Sequence, residues 1–117
     1  MIHYTVYLEK YLWEIEVYIV IEKPNIDTIT NSLRKLRCSN KVIHQAHKNL
    51  MSDGDSGFTY TDLEEHKSLV VINKSSNMQE FINTYNHEKN HVEMHICEVL
   101  GIDPYSERAA YLSGELA

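Results

Sequence analysis

The sequence predicts an α+β domain, and two stretches of opposite periodicity carry that reading. Between Ile2 and Ile21 apolar residues alternate: Trp13, Ile15, Val17, Ile19 and Ile21 point one way, while Glu14, Glu16 and Glu22 point the other or end the run. That is the period of strand with one buried face. Between Ser76 and Leu100 the period lengthens to that of a helix. There Met78, Phe81, Ile82, Tyr85, Val92, Ile96, Val99 and Leu100 fall within an arc of about 100° on a helical projection. Size is the third observation. At 117 residues, with 43% hydrophobic and 24% charged residues, the chain has the length and composition of one globular domain, assigned to residues 1–117.

A break near Glu9 and Lys10 divides the first run into a hairpin, although no Asn-Gly or Asp-Gly marks the turn. Pro24-Asn25 stops the second strand, and Asp27 is placed to cap a helix carrying Ile26, Ile29, Leu33 and Leu36. Ser39-Asn40 caps a second helix, with Val42, Ile43, Ala46 and Leu50 on one side. These two helices hold Arg34, Lys35, Arg37, Lys41 and Lys48, read as a solvated basic face. The segment SDGDSG is a turn by composition. It places Asp53, Asp55 and Glu64 at calcium-loop spacing, but Phe58 stands where that loop needs glycine. Two further strands follow, Phe58 to Thr61 and Ser68 to Ile72, the second apolar enough to be covered on both faces. Ser76 or Asn77 caps the long core helix and Gly101 stops it; a last helix starts at Ser106 and runs to the end of the chain. No internal repeat is visible. The strands are expected to form a small, mainly antiparallel sheet packed on helices.

The net charge of −6 argues against binding to nucleic-acid backbones, which requires a basic surface. No apolar run approaches the roughly 18 residues of a membrane span, and MIHYTVYLEKY has no signal-peptide features. A cytoplasmic protein is expected. In a reducing compartment Cys38 and Cys97, far apart and without CxxC spacing, are thiols.

Histidine is the one excess, at seven residues. Within the core helix stands His87-Glu88-Lys89-Asn90-His91, an HExxH sequence. Two histidines four apart project from the same helix face, close enough to chelate one ion, and neutral imidazole suits Zn²⁺. Glu88 projects between them in chain order, on the polar side of the helix, where it can take a proton from water rather than bind the metal. A catalytic zinc needs a third protein ligand. His95 stands about 12 Å along the axis from His87, too far to share the ion without breaking the helix. Asp103 suits the turn before Pro104. Glu107, at the start of the last helix, is the favoured third ligand, since the residues from Gly101 to Ser106 are long enough to lead back beside His91. Tyr111, one turn later, is the candidate donor to a developing oxyanion.

HEKNH on a helix preceded by strands and followed by SERAAYLSGEL resembles the zincin metallopeptidases, specifically small gluzincin-type domains of bacteria and their phages. The resemblance spans roughly Phe58 to Ala117. It implies zinc on His87 and His91, Glu88 as general base, Glu107 as third ligand, and the strand around Ser68 to Ile72 as the one that holds an extended peptide substrate. One feature departs from the family. The two inner residues of its motif are usually uncharged, yet Lys89 lies inside the apolar arc, so its ammonium must reach solvent or a carboxylate such as Glu16 or Glu93. The expected function is zinc-dependent hydrolysis of a peptide or protein substrate. The rival is a catalytically inactive zincin-fold accessory protein acting through a protein partner or as a homo-oligomer.

Overall fold

A computed structural model describes residues 1–116. Its element order is β1 (Ile2–Leu8), β2 (Trp13–Ile19), α1 (Ile26–Lys35), α2 (Asn40–Leu50), β3 (Gly57–Asp62), β4 (Lys67–Ile72), α3 (Met78–Leu100) and α4 (Glu107–Leu116). The domain is α+β, with a mixed four-stranded sheet in the order β1-β2-β4-β3. Both hairpins are antiparallel, and the two central strands, β2 and β4, run parallel. A parallel pair cannot be joined by a tight turn. Here α1 and α2 provide most of the crossover.

The strand period decides which helices cover which face. Odd residues of β2 (Trp13, Ile15, Val17) and even residues of β4 (Val70, Ile72) share a core with Val92, Ile96, Cys97 and Leu112 of α3 and α4. Tyr18, Leu69 and Val71, on the opposite face, share a second core with Ile29, Leu33, Ala46 and Leu50 of α1 and α2. Helices therefore cover both faces, and the sheet is the shared floor of two cores. Chain order repeats as well: a hairpin then two helices, twice, with the helix pairs on opposite faces.

Local chemistry sets the boundaries. A short 3₁₀ turn at Glu9–Tyr11, closed by Leu12 in the left-handed region at φ 51°, makes the first hairpin. Strand β2 ends at Ile19, so Ile21, expected on its buried face, is exposed. Asn25, not Asp27, caps α1, its side-chain oxygen accepting from the Thr28 N–H at 3.1 Å. Ser39 caps α2, Asn77 caps α3 and Ser106 accepts from the Ala109 N–H at the start of α4. Gly101, at φ 66°, ends α3. The calcium-like spacing has no counterpart in space. Residues 57–62 are strand, and Asp55 instead binds the Ser76 N–H and hydroxyl, both at 2.7 Å, tying the turn before β3 to the start of α3. Arg37 makes a two-toothed contact with Asp62, both bonds 3.0 Å, and so joins the end of α1 to the end of β3. Among the described residues no helix is long and apolar enough to cross a membrane.

Candidate metal centre

The face of α3 that meets the sheet is rotated from the one its apolar residues predict. Thr84, Glu88, Val92 and Ile96, an i, i+4 series, are buried, whereas Met78 and Ile82 are exposed. The cause lies in β3, whose residues facing α3 are Gly57, Thr59 and Thr61. A Cβ at Gly57 would lie 3.0 Å from the Thr84 side chain and 3.2 Å from Glu88 Cγ, and 2.5 Å from the Val71 carbonyl oxygen. Glycine there lets α3 settle close to the strand, polar side down.

Glu88 is consequently not on the solvent side of the helix. It is 3% exposed, and the Thr59 hydroxyl donates to its Oε1 at 2.9 Å. A buried carboxylate without a donor would be costly, and Thr59 meets that need. His87 and His91 stay exposed, one turn apart, with their Nε2 atoms 3.1 Å from each other and their rings edge to face. Ligand atoms of His87, Glu88 and His91 all lie within 4.8 Å of one another. A tetrahedral zinc with bonds of about 2.0–2.1 Å holds its ligand atoms about 3.3 Å apart, so the two imidazoles stand at the separation such an ion requires.

His95 is turned to the sheet, its Nδ1 2.7 Å from the Thr61 hydroxyl, which also contacts Ser68 at 2.8 Å. Burial, with the neighbouring His91 adding to it, lowers the His95 pKa. Ser68 in turn accepts from the Trp13 indole N–H at 3.0 Å. This row from β2 to α3 crosses three strands. It joins residues that no sequence spacing relates.

The other expected site residues stand apart. Glu107 is exposed at the start of α4 and does not belong to the converging group. Tyr111 is 65% exposed, with the Lys10 ammonium 5.9 Å from its ring centre. Neither lines the cleft that His87 and Glu88 border with Asp55, Ser56 and Gly57. The reason is how α4 docks: Leu112 enters the core beneath α3, and the Tyr85 hydroxyl donates to the Leu116 carbonyl, fixing α4 along the Tyr85 side of α3. Strand β4, implied as the substrate-holding strand, is paired on both edges; the edge strand beneath the Glu88 side of α3 is β3. Lys89 meets Glu93 at 3.7 Å, while Glu16, on the far face of the sheet, approaches His3 at 3.4 Å.

No family model, no curated protein and no solved structure matches the chain.

Proposed function

We propose that this chain binds a zinc ion through His87 and His91 and hydrolyses peptide bonds there, as a zincin-like metallopeptidase domain. The supporting observation is the pair of Nε2 atoms 3.1 Å apart, with the Glu88 carboxylate beside them. The donor set fits zinc: two imidazoles one turn apart on one rigid helix, with a carboxylate beside them to serve as base. Zinc bound there supplies a Lewis acid that polarises a carbonyl and makes water acidic enough to deprotonate near neutral pH.

The chain's own residues do the rest. The helix holds both imidazoles on one face without a loop to reorganise. Thr59 occupies Glu88 Oε1, which leaves Oε2 as the oxygen that takes a proton from water and returns it to the departing amine. The third position on the metal is left to Glu107, which would have to approach from outside the converging group, or to a further water, and the zinc affinity of Glu107→Gln separates the two. In the wild type, metal analysis should give near one zinc per chain. Glu88→Gln should keep the metal and lower peptide hydrolysis by about 10²–10⁴-fold. Purified protein without near-stoichiometric zinc, or zinc retained after His87 and His91 are both replaced by Ala, would sink the proposal.

The burial of Glu88 favours one second reading, a zinc-carrying binding module without catalysis. In that case the metal raises stability but no peptide is cut, and Glu88→Gln leaves partner binding intact.

A further inference from the structure

The two edges of the sheet are not equivalent. On β3 the outer edge is covered in part: the Asn49 side-chain amide donates to the Gly57 carbonyl at 3.1 Å, and the Arg37 side chain clamps that of Asp62 at the other end. On β1 it is bare. This strand pairs with β2 without a bulge over seven residues, Ile2 to Leu8, and contains no Lys, Arg, Asp, Glu or Pro. Natural edge strands are usually protected by such residues or by bulges.

The uncovered apolar surface lies along the same edge. Ile2 is 47% and Tyr4 39% exposed, although both extend the face that carries the α3 core. Beside them, Tyr85 and Lys89 of α3 face Tyr4 and Val6 across a cavity of about 200 Å³. Met78 and Ile82 continue that helix stripe toward its N-terminus, at 71% and 43% exposure. These are two of the residues whose periodicity marks them for burial.

We propose that β1 pairs antiparallel with β1 of a second copy, giving a two-fold dimer with a continuous eight-stranded sheet. A register centred on Thr5 sets Tyr4 against the second copy's Val6, Ile2 against its Leu8 and His3 against its Tyr7. Even residues meet even residues, so the α3 faces of both copies lie on the same side and the exposed stripe is covered there. Aromatic and β-branched pairs of this kind stabilise antiparallel strands, and no like charges face each other within the strand pair. Because β1 pairs with β1, the contact is isologous and assembly through this edge closes at two. The proposal does not depend on the metal site.

Sedimentation velocity across low to high micromolar concentrations tests it. The wild type should be dimeric. Thr5→Lys places two ammonium groups opposite each other at the two-fold axis, while within its own chain the new lysine stands across from Glu16. It should therefore be a folded monomer by circular dichroism, with dimer affinity weakened by tenfold or more. Ile82→Glu, on the exposed stripe, should weaken the dimer with the fold intact. An equimolar mixture of Thr5→Lys and Thr5→Glu should restore a heterodimer. A wild-type monomer throughout the range, a dimer indifferent to Thr5→Lys and Ile82→Glu, or open-ended oligomers would each overturn the assignment.

Discussion

Asp55 shows how much one side chain can organise in this chain. It sits in the left-handed region at φ 54°, and its two oxygens receive the Ser76 backbone N–H and hydroxyl, which hold its pKa below the ordinary carboxylate value. The folded form thus favours the charged carboxylate, and the stabilisation is fully present above the unfolded-chain pKa of about 3.9. It is lost as pH falls through the lower folded value. Acid unfolding followed by circular dichroism should show this. Asp55→Asn should lower stability at neutral pH, and its deficit relative to the wild type should shrink as pH falls below about 4. A deficit independent of pH would show that the contact acts without its charge. Thr59 has the parallel role at Glu88. Its hydroxyl is the one side-chain donor to that buried carboxylate among the described residues, and Thr59→Val should cost about 1–3 kcal/mol in urea unfolding.

At the scale of elements, the first hairpin holds an unrelieved conflict. Leu12 takes a left-handed conformation at φ 51° while being 79% exposed, so its side chain contributes little to the core and its backbone is strained. Leu12→Gly should raise stability by about 0.5–1 kcal/mol, because glycine reaches this region without a Cβ penalty. Urea unfolding measures the gain; a loss would mean that Leu12 packs against something in solution. The long helix α3 makes a different point. Its extent, its Asn77 cap and its Gly101 stop are legible from period and residue type. The face it buries is not, because the small inward residues of β3 draw Thr84 and Glu88 down and leave Met78 and Ile82 out.

Across the whole molecule the sheet separates two cores that share its strands. Ile29 of α1 and Ile96 of α3 are both fully buried, on opposite faces. Ile29→Val and Ile96→Val should each cost about 0.5–1.5 kcal/mol. The double variant should equal their sum within about 0.5 kcal/mol in equilibrium unfolding. A larger deviation would show the cores coupled through β2 and β4.

The sequence by itself determined the strands, the helices and the caps of α2 and α3, because period and capping chemistry are local; at α1 it pointed to Asp27 where Asn25 caps. It also placed His87 and His91 one turn apart, since four residues on a helix admit no other arrangement. Tertiary structure alone decided what surrounds them. Strand order, the parallel β2–β4 pair, Glu88 beneath the helix on Thr59, and Glu107 and Tyr111 outside the converging group all depend on contacts between residues distant in the chain. Those contacts follow from which surfaces fit together, such as Gly57 beneath Glu88 or Leu112 beneath α3. A linear pattern carries no record of that fit.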